Sequence, residues 1–313
     1  MVNSEKQAIL ILAHQADDVL KTLIQQFDST LFDIFIHFDR KFYTASLAQE
    51  LQGLVRNTHL SIISTQSVTW AAPSVMRAEL DLMNCAFHSG HYHYFHLLSG
   101  QDLAIKSADV IYDFFKSQDT QFFEIRAIDS PVAIDRVTYR YPLVESIGKK
   151  HNFFWVLQKA YLLCQKGLHI KNQQSFILEN KLAYASQWAS MTNEFVNALL
   201  LQKSELQTVY RQALVPDEIY KATFLVNNTQ RFTYYNRNYR FISFMGNSPK
   251  MISTQQEVQE LLQSENFFAR KFAPENQLLK LVRQATIENE KIDGRRPYKK
   301  VCFHRNCQKS SII

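Results

Sequence analysis

The sequence predicts an α/β fold in which a Rossmann-like, mostly parallel central sheet is flanked by helices. The first hundred residues alternate between short apolar runs and amphipathic helical segments, which is typical of a parallel sheet covered on both faces. The chain of 313 residues is 46% apolar and 20% charged, an ordinary balance for a globular protein with a large core. Only 7 Gly and 7 Pro indicate few long irregular loops.

The N-terminal third carries this alternation. Apolar runs predict the strands, and apolar residues at helical spacing, such as Val19, Leu20, Leu23 and Ile24, predict the helices between them. In chain order we predict a strand at Gln7–His14, a helix at Asp18–Gln26, a strand at Phe32–Phe38, a helix at Ala45–Leu54, a strand at Leu60–Ile63, a helix at Ser74–His88 and a strand at Tyr94–Leu98.

The rest of the chain is less regular. Residues 135–160 are aromatic and basic, and Pro216 marks a turn or helix start with Asp217 and Glu218 in its first turn. The further predicted elements are a helix at 107–117, a strand at Phe122–Ile125, a helix at Val196–Tyr210, a strand at Tyr239–Phe244, and helices at Gln255–Leu262 and Glu275–Glu288.

Polar residues follow three of the predicted strands. His14, Asp39 and the turn Ser99–Asp102 each come directly after a buried run. Ligands of open α/β sheets bind beyond the carboxyl ends of the strands. We therefore expect these residues to line one crevice.

Three absences favour a cytoplasmic location. No apolar region with a cleavage site follows Met1–Lys6, so no signal peptide is expected. No uncharged apolar stretch of about 18 residues occurs, so no membrane-spanning helix is expected. The four cysteines are widely scattered, unlike a disulfide framework.

The formal net charge is +6, and much of it lies in the C-terminal tail. This tail is either a solvated segment or a peripheral contact with anionic lipid at the inner face of the membrane. Since no nucleic-acid-binding module accompanies the charge, no nucleic-acid partner is predicted. Cys302, His304 and Cys307 offer three metal ligands without an evident fourth, so no metal site is predicted.

Several common catalytic motifs are missing: the P-loop, G-x-G-x-x-G, G-x-S-x-G and H-E-x-x-H. Many nucleotide-sugar transferases hold a divalent cation with Asp-x-Asp after a strand. Here the matching strand end reads Asp39-Arg40-Lys41, one acid followed by two bases. If the chain is such a transferase, other groups must neutralise the departing diphosphate.

Seven short strings taken together resemble the core-2/I-branching β-1,6-N-acetylglucosaminyltransferase family, which includes the peptide O-xylosyltransferases. The resemblance spans about residues 8 to 273. The strings are Ile9-Leu10-Ile11-Leu12-Ala13-His14, Ile36-His37-Phe38-Asp39-Arg40-Lys41, Ser67-Val68-Thr69-Trp70 with Ala78-Glu79, Leu97-Leu98-Ser99-Gly100-Gln101-Asp102-Leu103-Ala104-Ile105-Lys106, Ser186-Gln187-Trp188, Pro216-Asp217-Glu218 with Ala222-Thr223, and Phe268-Ala269-Arg270-Lys271-Phe272.

The resemblance implies a GT-A-type fold, inversion at the anomeric carbon, a UDP-sugar donor and no metal cofactor. It assigns the catalytic base to Glu218 and the diphosphate contacts to Arg240 and Lys271. The residues implied for the nucleotide pocket are His14, Asp39, Val68 and Trp70.

The resemblance also implies an acceptor site and a domain plan. The acceptor residues are Asp102, Arg136, Arg140, Gln187 and Trp188. A single glycosyltransferase domain is expected at 1–280, with a nucleotide-binding half at about 1–130, an acceptor half at about 131–280 and a helical, basic tail at 281–313. The chain departs from the animal enzymes in lacking paired cysteines and an anchor, as a bacterial cytoplasmic relative would, and it has Ala185 where the family usually has glycine.

Elementary chemistry agrees with these assignments. An inverting transfer needs a carboxylate that takes the acceptor proton and positive charge where the diphosphate departs. Glu218 can supply the first, although an acid at the start of a helix is also simply favoured by the helix dipole. Arg240 and Lys271 can supply the second, although such side chains are usually solvated.

Three hypotheses follow. The first is transfer of GlcNAc from UDP-GlcNAc to a glycan or lipid-linked oligosaccharide in bacterial surface polysaccharide synthesis. The second keeps the site but uses UDP-xylose, UDP-glucose or UDP-galactose. The third is a non-catalytic module that binds a glycan or nucleotide.

Overall fold

The computed structural model describes residues 5–149, 152–172, 177, 179–246 and 248–288. Their strands are β1 Lys6–Ala13, β2 Phe32–Phe38, β3 Leu60–Ile63, β4 Tyr92–Ser99, β5 Asp102–Ala104, β6 Gln121–Phe122, β7 Ile125–Ile128, β8 Ala183–Ala185, β9 Ser190–Thr192, β10 Tyr234–Tyr235, β11 Arg240–Ile242, β12 Phe244–Met245, β13 Ser248–Pro249 and β14 Phe268–Arg270.

Helices cover both faces of the central sheet. They are α1 Asp18–Gln26, α2 Ala45–Gln52, α3 Pro73–Ser89, α4 Ala108–Phe115, α5 Pro131–Thr138, α6 Val144–Ile147, α7 Phe153–Gly167, α8 Asn193–Leu201, α9 Lys203–Val209, α10 Tyr220–Val226, α11 Gln255–Gln263 and α12 Asn276–Arg283, with a 3-10 turn at Pro216–Glu218 and a π-helical turn at Gln284–Glu288. Among the residues described, no helix is long and apolar enough to cross a membrane.

Seven of the described strands form one sheet in the order β10-β6-β9-β4-β1-β2-β3. β1 pairs in parallel with β2 and β4, and β2 pairs in parallel with β3. β9 runs antiparallel to its neighbours β4 and β6. The predicted α/β class with a mostly parallel, helix-flanked sheet is confirmed.

The strand sequences explain why both faces of this sheet are buried. Along β1, Ala8 and Leu10 contribute to one hydrophobic cluster, whereas Ile9 and Ile11 contribute to the other. Alternate residues of a strand point to opposite faces. A nearly continuous apolar run such as β1 therefore packs against helices on both sides.

A small second sheet brings the C-terminal part of the chain to the end of β4. Its order is β11-β14-β5, and Arg270 of β14 is paired with Asp102 of β5. The turn before β5 packs closely on β1, because a Cβ atom at Gly100 would lie 3.2 Å from the Cβ atom of Ala13. Only glycine allows this approach without displacing β1.

Several predicted boundaries need correction. The predicted strand Phe122–Ile125 is two strands in different sheets, since Phe122 belongs to β6 and Ile125 to β7. The predicted helix Val196–Tyr210 is broken at Gln202 into α8 and α9.

Two further boundaries shift near the C-terminus of the described chain. Tyr239 has a φ of 55°, and the late strand runs only from Arg240 to Ile242, since Phe244 belongs to β12 in a different sheet. The last predicted helix is regular only to Arg283 and continues as the π-helical turn.

The domain plan 1–280 with two halves stays a prediction. The basic part of the predicted tail, residues 291–313 with Cys302, His304 and Cys307, lies outside the described residues.

Candidate active site

The carboxyl ends of β1, β2 and β4 meet at one edge of the central sheet. The backbone N–H of Asp39, after β2, donates to the carbonyl of Ala13 at 2.8 Å, and that of Gly100, after β4, donates to the carbonyl of Leu12 at 2.9 Å. The structure thus brings His14, Asp39 and the turn Ser99–Asp102 together. This is the arrangement expected from the positions of the strand ends.

Asp39 fixes the segment that contains Val68. Its Oδ1 atom accepts hydrogen bonds from the backbone N–H of Lys41 at 3.0 Å and of Val68 at 3.3 Å. Its Oδ2 atom lies 3.3 Å from Nζ of Lys41, which also donates to the carbonyl of Val68 at 2.6 Å. The buried carboxylate is therefore already satisfied by one cation and two amides.

Electrostatic interactions connect three basic side chains near this strand end, the imidazole of His14 and the ammonium groups of Lys149 and Lys271, which we call the cation group. Burial lowers the pKa of Lys271, and the like charge of Lys149 lowers it further. The pKa of His14 is lowered first by loss of water around the ring and then by the Lys271 ammonium. An anion bound between the two ammonium groups would offset their repulsion.

Lys149 lies in the aromatic and basic region 135–160, and the sequence pattern did not predict it as a site residue. Its Nζ atom lies 5.9 Å from the ring centre of Trp70, whose side chain is 59% exposed. The carboxylate of Glu145 accepts from the backbone N–H of Ser74 at 2.9 Å and from Arg77 at 2.8 Å. These contacts tie the α6 segment, and hence Lys149, to the start of α3.

Asp102 and Trp188, both predicted to contact the acceptor, are interior residues. Asp102 is 2% exposed and Trp188 is 7% exposed. Oδ2 of Asp102 accepts from the backbone N–H of Ser99 at 2.8 Å, and Oδ1 lies 3.4 Å from Nε of Arg270. The Arg270 guanidinium covers the Trp188 ring at 4.2 Å, so the structure leaves no open face there for a sugar.

The structure does not bring Arg240 to the cation group. Its guanidinium donates to the carbonyls of Asn238 at 2.6 Å, Ala189 at 2.8 Å and Leu97 at 3.2 Å, beneath the strand ends. Burial lowers its pKa to about 9, which leaves the group charged at neutral pH. These contacts describe an arginine that joins β4, β9 and β11, and its assignment to the diphosphate stays a prediction.

Glu218 lies at the end of the Pro216–Glu218 turn and is partly exposed, with 27% of its side chain accessible. Its Oε2 atom accepts from Nη1 of Arg136 on α5 at 3.0 Å. The structure therefore brings Arg136, a predicted acceptor residue, directly to the predicted base. Arg140 is not brought there: its side chain is exposed in the loop between α5 and α6.

A strained backbone holds the Glu218 turn against the Trp70 segment. Val215 and Ala71 have φ angles of 51° and 65°, a left-handed conformation that L-residues with side chains avoid. The backbone N–H of Val215 donates to the carbonyl of Ala71 at 2.8 Å. Because Ala71 follows Trp70, this bond joins the turn that carries Glu218 to the segment beside Lys149.

A buried ion pair supports the same turn from below. Glu79 of α3 is 0% exposed and pairs with Lys221, and it also accepts from the Tyr220 hydroxyl at 2.7 Å. The Lys221 ammonium donates in addition to the carbonyl of Asp217 at 3.2 Å. Gln187, predicted to contact the acceptor, instead donates its amide to Glu79 at 2.7 Å.

Asp217 differs from its neighbour Glu218. It is 7% exposed, and its Oδ1 atom has no hydrogen-bond partner among the described residues. Burial, reinforced by the negative charges of Glu79 and Glu218, raises the pKa of Asp217 to about 8. At neutral pH this carboxyl is therefore largely protonated, which leaves Glu218 as the accessible carboxylate of the turn.

Metal ligands are not clustered in the part of the chain that the structure describes: no three His, Cys, Asp or Glu side chains there are grouped to hold an ion. Metal independence stays a prediction.

Comparison with known proteins gives one strong result. The family model of the core-2/I-branching enzymes matches residues 8–265. No curated protein sequence matches the chain. Among solved structures, a crystal structure of S. aureus TarS, residues 1–349, is similar over 65% of this chain and 66% of that chain, at 10% identity and a TM-score of 0.27. The present chain thus spans just under two thirds of that structure, and a similarity this low carries no argument.

The family match includes every predicted site residue except Lys271, which follows its end. It agrees with the strand-end geometry and with the mostly parallel, helix-flanked sheet. The chain belongs to the core-2/I-branching enzyme family of glycosyltransferases.

Proposed function

We propose that this protein transfers a sugar from a UDP-sugar, most directly GlcNAc from UDP-GlcNAc, to a hydroxyl group of a glycan or lipid-linked oligosaccharide. The transfer inverts the anomeric carbon and uses no bound metal ion. The observation that carries the proposal is the bond between the Glu218 turn and the Trp70 segment. It ties the turn that carries a partly exposed carboxylate to the segment whose Trp70 ring lies beside Lys149, which supports a base and a diphosphate site in one cleft.

The proposed reaction uses Glu218 as the general base. Its carboxylate takes the proton of the acceptor hydroxyl while that oxygen bonds to the anomeric carbon of the donor. The bond from the anomeric carbon to the diphosphate oxygen breaks at the same time, and its electron pair leaves with UDP. Arg136, at 3.0 Å from Oε2, fixes the orientation of the carboxylate for this step. Base assistance of this kind contributes about 10²–10⁴-fold.

The cation group is proposed to hold the departing diphosphate. The Lys149 and Lys271 ammonium groups repel each other in the absence of an anion, since the charge of Lys149 lowers the pKa of Lys271 and both charges lower the pKa of His14. A diphosphate relieves this repulsion and gains charge-assisted hydrogen bonds. Asp39, which occupies the strand end where a metal would be held, already pairs with Lys41. These contacts support transfer without a metal ion.

The nucleoside is proposed to lie along Asp39, Val68 and Trp70. Lys41 and two backbone amides hold the Asp39 carboxylate and the Val68 segment in a fixed relation. The exposed Trp70 ring offers a flat apolar face beside Lys149 for the uracil or ribose.

The acceptor is proposed to enter from the side of Tyr184. The Tyr184 ring lies 5.2 Å from the Arg136 guanidinium and 5.7 Å from that of Arg126. Arg126 in turn contacts Phe244, which lines a cavity of about 310 Å³. This cavity, also lined by Glu124, is of a size suited to one or two sugar units.

A UDP-release assay tests the proposal. Purified full-length protein is incubated with UDP-GlcNAc, UDP-xylose, UDP-glucose or UDP-galactose, with and without excess EDTA. We expect turnover that EDTA leaves unchanged, fastest with UDP-GlcNAc. Faster turnover with another UDP-sugar would change the proposed donor but not the proposed site residues. Loss of activity in EDTA would contradict transfer without a metal ion. UDP binding without any turnover would favour the non-catalytic module.

The proposed biological setting is the synthesis of a bacterial surface polysaccharide. A role in bacterial surface polysaccharide synthesis at the cytoplasmic side of the membrane would supply both UDP-sugars and lipid-linked acceptors. Isolation of the labelled product from a strain that makes the protein would identify the acceptor.

A further inference from the structure

Helix α7 has the reverse of the usual polarity of a surface helix. Its buried side chains include Gln158 and Gln165, which are 6% and 1% exposed and lie seven residues apart on one face. Gln165 accepts from the backbone N–H of Arg140 at 3.0 Å, and Gln158 accepts from that of Leu143 at 3.0 Å. These two glutamines, together with the half-buried Leu162 that packs against the cluster of Tyr139 and Tyr141, fasten the helix to the protein.

Apolar side chains occupy the outward surface of the same helix. Phe153 is 71% exposed and Leu163 is 70% exposed. Two more apolar residues, Leu168 at 70% and Ile170 at 48%, follow the helix and extend this surface. The other large apolar side chains exposed on α7 are Phe154, Val156, Leu157 and Tyr161. A contiguous apolar surface of this kind marks an interaction site.

The charge of this segment indicates what kind of partner it fits. Residues 149–172 contain five lysines and no aspartate or glutamate. Lys159 lies over the Trp155 ring at 3.8 Å, and Lys166 pairs with Asp135 of α5 at 2.7 Å. An apolar helix surface with basic residues at its border is the pattern that binds anionic lipid.

Other occupants fit this charge poorly. A second copy of the chain in a twofold interface would set the same lysine-rich segment against itself. The residues 291–313 of this chain carry seven basic residues and one acidic residue, so they share the sign of the segment. An anionic surface is complementary in charge to this segment, whereas a second copy of the segment and residues 291–313 both carry charge of the same sign and repel it.

We propose that α7, with Leu168 and Ile170, docks on the surface of an anionic lipid bilayer. The apolar side chains enter the boundary between head groups and acyl chains, and the exposed Lys159 and Lys171 contact the lipid phosphates. With 15 residues the helix is shorter than the about 20 needed to span a bilayer, so it lies in the interface. Docking does not depend on the proposed transfer reaction.

Vesicle sedimentation of the full-length chain tests this surface. We expect binding to phosphatidylcholine vesicles that contain phosphatidylglycerol, little binding to pure phosphatidylcholine, and weaker binding at high salt. A variant with Phe153→Ser and Leu163→Ser should bind at least about tenfold more weakly. Lys159→Glu should weaken binding about fivefold or more.

A matched control substitutes exposed apolar residues elsewhere. Leu201, 80% exposed on α8, and Met245, 74% exposed on β12, are changed to serine together. This control should bind vesicles like the wild type, and thermal melting should show that both double variants remain folded.

Three results would overturn the proposal. The first is wild-type protein whose binding to vesicles does not increase with phosphatidylglycerol. The second is unchanged binding by the α7 variant, which would assign binding to another part of the chain. The third is a wild-type dimer that the α7 variant converts to a monomer, since a second copy would then be the occupant.

Discussion

The buried ion pair between Glu79 and Lys221 allows a quantitative test of how the Glu218 turn is held. The side chains are 0% and 2% exposed. Glu79→Gln keeps the size of the side chain but only one acceptor oxygen, for either Gln187 or Tyr220, and it leaves the Lys221 ammonium buried without a counter-charge. Breaking a buried pair in this way costs about 3–5 kcal/mol. Since domains are typically stable by about 5–15 kcal/mol, the loss is a large fraction of the total.

Equilibrium urea unfolding measures this loss, and a double-mutant cycle assigns it. Lys221→Met in the Glu79→Gln background removes the second charge, so the double variant should be more stable than Glu79→Gln alone. The exposed pair Glu194–Arg231, with N···O 3.0 Å, provides the control, and Glu194→Gln should cost about 0–1 kcal/mol. If Glu79→Gln lowers the free energy of unfolding no more than Glu194→Gln does, the buried pair does not stabilise the turn as proposed.

The same variants report on catalysis. Lys221 also donates to the Asp217 carbonyl, next to Glu218. Any folded variant that loses this ammonium should therefore show a lower kcat while its affinity for UDP is kept. A lower affinity for UDP with unchanged kcat would place the effect elsewhere.

Three more predictions concern single side chains. Because the pKa of Asp217 is raised to about 8 in the folded state, the folded state holds this proton more tightly, and stability falls as the pH rises from about 5 to about 8, by at most about 4 kcal/mol. Asp217→Asn should weaken the dependence of stability on pH between about pH 5 and 8. If the melting temperatures of wild type and variant fall equally over this pH range, the prediction is contradicted. Lys271→Met and Lys149→Met should each weaken UDP binding about tenfold in calorimetry, whereas the surface change Lys116→Met should have no effect. Arg240→Gln should lower the free energy of unfolding by about 1–3 kcal/mol, and a fully stable variant with weak UDP binding would instead give Arg240 a direct role.

The strand-end part of the site was predictable because it depends on local patterns. Asp17 caps α1 by accepting from the backbone N–H of Val19 and Leu20, and the apolar spacing that follows gives the helix its predicted bounds Asp18–Gln26. Parallel strands place their carboxyl ends together, so His14 and Asp39 were expected to meet. These features need no knowledge of distant contacts.

The direction of individual side chains was not predictable in the same way. An arginine in an apolar strand can face either a ligand or the backbone carbonyls of neighbouring strands. Arg240 faces the carbonyls. Gln187 and Trp188 are turned inward by Glu79 and Arg270, which lie far away in sequence. Lys149 reaches the site only because Glu145 is bound to the start of α3.

Helix α7 shows why its segment gave no helix prediction. Its buried positions are glutamines and its exposed positions are apolar, so hydrophobic periodicity indicates the wrong face. Strand β9 has three residues, too few for alternation to be recognised, and its place in the sheet comes from long-range pairing with β4.

Glu218 is proposed to act as the base beside a cation group that takes the place of a metal. The most direct measurement is the rate of sugar transfer by Glu218→Gln in excess EDTA, together with its affinity for UDP. The account predicts a rate lower by about 10²–10⁴-fold with unchanged UDP affinity. A Glu218→Gln variant that transfers sugar at the wild-type rate would contradict it.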